Sequence, residues 1–349
     1  MTPPSVGSGR RVLVTGAGGF IGRHLVAEQL ELGREVVALD LQLDAVADLA
    51  ATTSLELVEG NITDGALQER ALRGVDTVFH LAAAHLSVAS SPTVYGEVNV
   101  EALKGLAWRS RATGVRRFVH CSTVGVFGAL ETLPADENTV CRPEFAYERT
   151  KLAGEGVLLA AHREHGLPVT ILRPAWVYGP GCPRTERLFR SIRKGRFVVA
   201  GDGGSFRHSV YIRDMTDAFE RAAHADAAIG EVIIVADDEA VTIRRLVDEI
   251  ASITGTAPPR SVPYWLLLSA GWTAERLFGL VSKEPPLSTR SLRFFSGNTS
   301  FDTGRAHRLL GFEPEYGIHR GLRETFDILE QGRFWDVPLP VAGVVEGGR

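Results

Sequence analysis

The chain has 349 residues, 44% hydrophobic and 23% charged, with a formal net charge of -4 and three cysteines. This composition is that of an ordinary globular protein, with enough chain for one large or two medium domains. It excludes a nucleic-acid binder of the basic, aromatic-rich type. With Cys121, Cys141 and Cys182 far apart and no CxxC pair, it also excludes a disulfide frame and a zinc site.

Residues 1–10 carry no signal-peptide core, so a cytoplasmic location is expected. The first predicted strand, 11–15, runs into Thr15-Gly16-Ala17-Gly18-Gly19-Phe20-Ile21-Gly22, and a helical pattern follows over 22–32. Strand, glycine turn and helix in that order suit the pyrophosphate of a dinucleotide. Gly16 can take the tight turn, Gly19 leaves the backbone open to the phosphates, and Gly22 lets the helix pack close to the strand. Asp40 ends the next predicted strand, 35–40, and stands 18 residues after Gly22, where a ribose-binding carboxylate belongs. Further strands are predicted at 54–58, 75–81, 117–122 and 169–173, with helices at 64–73, 94–113 and 147–165. The alternation predicts an α/β fold, a doubly wound parallel sheet of the Rossmann kind over 9–175. Residues 232–235 are expected to return to the sheet, within a stretch of about 205–240 that completes it. A smaller, interleaved substrate-binding lobe is expected over 176–335, and 336–349 reads as a tail. His162 and His165 share a helix face but lack further ligands, so a solvated face is expected and no metal.

Residues 262–272 are the most apolar stretch, broken by Glu275 and Arg276 before the roughly 18–20 residues a bilayer span needs. A helix buried in the core or covering the cleft is expected, with peripheral membrane contact as the alternative.

Tyr147 and Lys151 are four residues apart in a helical pattern, which sets them on one face one turn apart. A free phenol has a pKa near 10, so only about a thousandth is ionised at neutral pH. A nearby ammonium is expected to lower that pKa by about 1–3 units, up to roughly 4 kcal/mol of differential stabilisation. Such a tyrosine can exchange a proton with a carbinol while a hydride leaves or joins the same carbon. Ser122 and Thr123 end the strand about 25 residues earlier, where strands of this architecture open onto the ligand crevice. Either hydroxyl qualifies as a substrate anchor, and strand alternation puts the two on opposite sides.

Taken together these segments resemble an extended short-chain dehydrogenase/reductase of the NAD-dependent epimerase/dehydratase superfamily. The resemblance rests on Thr15–Gly22, His80-Leu81-Ala82-Ala83, Asn99 in Val98-Asn99-Val100, the hydroxyl-bearing strand running to Val126-Phe127-Gly128, Tyr147/Lys151 and Arg173-Pro174 to Gly181, in the family's order. It implies NAD as cofactor and Thr123, Tyr147 and Lys151 as catalytic residues, with Lys151 also binding ribose. As cofactor contacts it implies Gly16, Gly18, Gly19, Phe20, Ile21, Asp40, Asn61, Ile62, Leu81, Ala82, Ala83, Asn99, Ser122, Tyr147, Lys151, Pro174 and Val177. A homodimer through the helices at 94–113 and 147–165 is implied as well. Two positions depart from the pattern: Phe127 stands for the usual tyrosine, and Asn61 for the usual aspartate of the adenine-positioning segment. No arginine follows Asp40, so NAD is expected over NADP.

Candidate substrate residues are His85, Thr123, Trp176, Arg207 and His208. The acid pair of sugar dehydratases is replaced by Val124 and Gly125, which disfavours dehydration. Residues 263–281 and 283–287, Phe301-Asp302 and Leu310 to Pro314 resemble the 3β-hydroxysteroid dehydrogenase-like branch, with Trp265, Leu268, Trp272 and Phe278 as candidate lid or pocket residues. The leading expectation is an NAD-dependent dehydrogenase or reductase of a rather apolar ring alcohol or ketone. The alternative is a nucleotide-sugar epimerase, because residues 201–214 align with such enzymes' nucleotide-binding segment and put Arg207 at the diphosphate. A non-catalytic NAD-binding protein is the minor alternative.

Overall fold

The structure, a computed structural model, describes residues 11–51, 53–84, 92–279 and 297–332. Among these residues the chain builds a seven-stranded parallel sheet in the order β11-β6-β5-β4-β1-β2-β3. The strands are β1 (Arg11–Thr15), β2 (Glu35–Asp40), β3 (Leu55–Glu59), β4 (Thr77–His80), β5 (Arg117–Cys121), β6 (Val169–Pro174) and β11 (Val232–Val235). Successive residues feed opposite faces. Val12, Val14, Val36, Ala38, Phe79 and Val119 enter one buried cluster. Leu13, Val37, Leu39, Val78 and Phe118 enter the other. Both faces are thus covered by helices, which explains why the strands read as continuous apolar runs. Helix α1 (Phe20–Glu31) lies on the first face, and α4 (Leu103–Ala112) and α5 (Ala146–His165) lie on the second.

From β1 the strand order runs outward through β2 and β3, then the chain crosses back to β4 on the other side. The crevice at the C-terminal ends of β1 and β4 is therefore the topological switch point, where ligands of such sheets bind.

One helix was predicted over 94–113, and the structure divides it. A short helix (Pro92–Gly96) passes into a wider π turn (Glu97–Ala102) before α4 begins. The widened turn holds Asn99, whose Oδ1 accepts from Ala84 N at 2.8 Å and whose Nδ2 donates to Thr150 Oγ1 at 3.0 Å. Those side-chain bonds tie the post-β4 loop to α5, a use of π geometry that no apolar periodicity reveals.

Away from the sheet a third buried cluster forms around Tyr178, Phe189, Tyr211, Leu246 and Leu322. Strand β7 (Trp176–Tyr178) pairs with β10 (Ser209–Tyr211), and β9 (Phe206–Arg207) pairs with β12 (Val241–Thr242). Asp214 fastens residues 315–316 to this part: its two oxygens accept from Glu315 N at 2.9 Å and Tyr316 N at 3.1 Å.

Residues 264–279 form a helix, α9 (Tyr264–Gly279), but its apolar residues are not core. Trp265 is 66%, Leu266 45% and Trp272 55% exposed, so the expectation of a buried helix fails for those side chains. The run is apolar on several faces, and the described structure leaves part of it uncovered. None of the helices among the described residues is long and apolar enough to cross a membrane.

Candidate active site

The glycine turn has the shape a dinucleotide needs. Gly16 has φ +73, a conformation that costs other residues strain. A Cβ on Gly22 would stand 2.0 Å from Gly16 O, so only glycine lets α1 start this close to β1. Leu81 N donates to Thr15 O at 3.1 Å and Ala82 N to Thr15 Oγ1 at 3.2 Å, which sets Leu81–Ala83 beside the turn. Asp40 Oδ2 accepts from Gly18 N at 2.9 Å, and its Oδ1 accepts from Leu41 N at 2.6 Å. Burial raises the pKa of Asp40, against the lowering effect of the Leu41, Gly18 and Gln42 N–H groups. Phe20 and Ile21 are half-buried at the start of α1. Ile62 is buried, and the exposed Asn61 accepts from Thr63 N through Oδ1 at 3.0 Å. His24 Nε2 bonds Pro180 O at 2.9 Å, tying α1 to the segment that follows Pro174 and Val177. Glycine cradle and carboxylate fit NAD.

Thr123 and Ser122 part company as alternation requires. Thr123 is half-exposed and its Oγ1 accepts from Gly125 N at 3.0 Å. Ser122 is buried and donates to Glu155, which also receives Arg173 through Nε at 3.0 Å and Nη2 at 2.6 Å. Ser122 thus faces the interior. Arg173 in turn lies over the Phe127 ring at 4.9 Å, so the departure from tyrosine supplies a buried packing face. The Glu155–Arg173 pair was not picked out from the sequence, although Glu155 lies one turn beyond Lys151.

Tyr147 opens α5, whose start is capped by Glu148 accepting from Phe145 N at 3.2 Å and Glu144 N at 3.0 Å. One turn on, Lys151 is buried and its Nζ donates to Cys121 O at 2.6 Å, with His120 Nε2 at 3.4 Å. Here an expectation is corrected. Burial raises the phenol of Tyr147 well above its ordinary value, with Cys121, Glu148 and Tyr95 adding to the rise and Arg184 opposing it. Lys151 is not among the groups that set this shift, and one of its N–H groups donates to the Cys121 carbonyl. Burial also lowers the pKa of Lys151 itself. Tyr95 and Arg184 are further groups beside the phenol that the spacing of motifs did not reveal.

The candidate substrate residues divide. Trp176 is half-buried, its ring 5.7 Å from that of Tyr178. Arg207 is buried, donates through Nη1 to Gly297 O at 2.7 Å, and burial lowers its pKa to about 10. His208 is corrected: Nδ1 accepts from Phe301 N at 3.0 Å and Nε2 meets Asp237 O at 2.6 Å. Both ring nitrogens hold backbone, so neither is left for a substrate. His85, residues 283–287 and the side chain of Phe278 lie outside the described residues. His162 Nδ1 bonds Leu167 O at 2.9 Å, and no cluster of metal-binding side chains occurs among the described residues.

The sequence profile of the NAD dependent epimerase/dehydratase family matches residues 12–236. The chain belongs to that family. Members of differing activity are about equally similar to it. It is 27% identical over 321 residues to N-acetyl-alpha-D-glucosaminyl-diphospho-ditrans,octacis-undecaprenol 4-epimerase of Escherichia coli, covering 90% of this chain and 93% of that protein. It is 29% identical over 334 residues to 3-beta-hydroxysteroid dehydrogenase of Mycolicibacterium neoaurum, covering 90% of each. Among solved structures, UDP-glucose 4-epimerase of Thermotoga maritima superposes with a TM-score of 0.75 at 26% identity, covering 92% of this chain and 99% of that one. Like the rest of the epimerase/dehydratase family, this member uses NAD.

Proposed function

We propose that this family member is an oxidoreductase that moves a hydride between NAD and a secondary alcohol or ketone carbon of a rather apolar ring substrate. The reading is supported by one observation: Thr123 directly follows the end of β5 by one residue, and Lys151, one turn along α5 from Tyr147, is buried with its Nζ on Cys121 O at the end of that strand. In the oxidising direction Thr123 Oγ1 holds the substrate oxygen by a hydrogen bond. Tyr147 takes the carbinol proton as the carbon–hydrogen bond breaks, and the new carbonyl leaves with its oxygen deprotonated. The bound NAD supplies the hydride acceptor. Lys151 holds the ribose and, once one of its N–H groups faces the phenol, offsets the cost of a buried phenolate. An apolar substrate is supported by the exposed tryptophans of α9 and by the steroid-oxidising relative.

A second reading, a nucleotide-sugar epimerase, is favoured by Arg207. A guanidinium held in a buried strand suits a diphosphate. Dehydration is disfavoured, because Val124 and Gly125 offer no acid or base. A homodimer through α4 and α5 belongs to the same proposal, as Trp108 on α4 is 62% exposed and meets the His165 ring edge-on at 5.4 Å.

Absorbance at the reduced-nicotinamide band separates the readings. A dehydrogenase changes it in proportion to a 3β-hydroxysteroid offered as probe. An epimerase isomerises UDP-glucose with no net change, and then Arg207→Ala weakens uridine diphosphate binding. No effect of that substitution counts against the sugar reading.

A further inference from the structure

We propose that His120 is a positioning residue for Lys151, accepting one of its N–H bonds so that the ammonium keeps a donor for the crevice beside Tyr147. The inference rests on the Tyr147–Lys151 reading above. An ammonium has three donors. One goes to Cys121 O at 2.6 Å and a second points to His120 Nε2 at 3.4 Å, which leaves a third. Accepting at Nε2 requires the His120 proton on Nδ1, yet Nδ1 is buried with no hydrogen-bond partner. An orphaned buried donor of this kind is destabilising, a cost a phenylalanine of similar shape would avoid. A histidine here is thus explained by what its other nitrogen does.

The ring is held from behind. His80 stacks on His120 with centroids 5.3 Å apart and planes at 17°. His80 is held in turn, because its Nδ1 shares a hydrogen bond of 2.8 Å with Thr15 Oγ1, which also accepts from Ala82 N at 3.2 Å. The buried path therefore runs from Thr15, at the nucleotide turn, through two stacked imidazoles to the lysine. Both imidazoles stay neutral. Burial and the charge of Lys151 lower His80 to about 3 and hold His120 well below its ordinary value, so His120 remains an acceptor across neutral pH. The other groups facing Lys151 are Cys121 and Glu155. Those facing Tyr147 are Cys121, Arg184, Glu148 and Tyr95, and all keep their identity in the variants below.

The test is a pH titration of the Tyr147 phenolate in the near-ultraviolet on the NAD-saturated protein, with Tyr147→Phe subtracted. His120→Phe removes the acceptor and is expected to raise the apparent pKa of Tyr147 by about 1 unit, roughly tenfold less phenolate at a given pH. His120→Gln restores an acceptor oxygen and is expected to return the titration most of the way to wild type. NAD affinity and the melting curve check that each variant is folded, and His120→Leu replaces His120→Phe if the larger ring disrupts the core. A His120→Phe titration that matches wild type overturns the proposal, as does a His120→Gln titration no nearer wild type than His120→Phe. If the wild-type complex itself shows no Tyr147 phenolate below a pH of about 10, Tyr147 as acid/base fails, and this inference with it.

Discussion

At the scale of single residues, Asp40 is the side chain proposed to discriminate between NAD and NADP. Its carboxylate is fixed by backbone N–H groups of Gly18 and Leu41, and we propose that it meets the ribose 2′ oxygen. A 2′-phosphate there meets a fixed negative charge. Asp40→Ala is expected to narrow the preference for NAD over NADP by about tenfold or more, roughly 1.4 kcal/mol, in paired binding titrations. An unchanged ratio contradicts the assignment. Asp237 carries a different consequence. It is buried, Ser209 Oγ donates to its Oδ2 at 3.0 Å, Oδ1 has no partner, and burial raises its pKa from 3.8 to about 8. The folded chain therefore holds a proton that the unfolded chain has released between those values. The stability this group contributes is full below pH 3.8 and is lost as pH rises through about 8. Asp237→Asn is expected to flatten the fall of stability with pH by up to about 1.4 kcal/mol per unit, read from denaturant melts across that window. A slope equal to wild type contradicts it.

At the scale of elements, two close approaches hold the site in place. Gly22 brings α1 onto β1, and Gly22→Ala is expected to cost NAD affinity at least tenfold in a binding titration while the rest of the sheet still folds. The buried Glu155–Arg173 pair joins α5 to β6 beneath Ser122. Glu155→Gln leaves a buried guanidinium uncompensated and is expected to destabilise by about 3–5 kcal/mol, measured by denaturant melts. These elements were unequally legible in the sequence. The glycine turn could be read because its glycines are demanded by local geometry, and the strands because burial on both faces leaves continuous apolar runs. The π turn at Asn99 could not, since its cause is a pair of side-chain bonds to Ala84 and Thr150, one of them 51 residues away. His208 misled for a similar reason. A histidine beside a candidate anion site reads as a ligand until Phe301 N and Asp237 O are seen on its two nitrogens.

For the whole molecule, fold and family follow from repeated local rules, whereas substrate choice does not. Relatives about equally similar to this chain bear the names of a steroid dehydrogenase and of a sugar 4-epimerase. In the later part of this chain the apolar run 262–272 was expected to be covered and instead presents Trp265 and Trp272 to solvent. Apolar composition alone does not tell a core helix from a surface one. The chemistry common to all these readings is proton exchange at Tyr147. It is tested most directly by following reduced nicotinamide as NAD-loaded wild type and Tyr147→Phe are offered a 3β-hydroxysteroid and UDP-glucose in single turnover. The expected result is a transient or lasting rise for wild type with one of them, slowed about 100-fold or more in Tyr147→Phe at unchanged NAD affinity. A variant as fast as wild type would contradict the account.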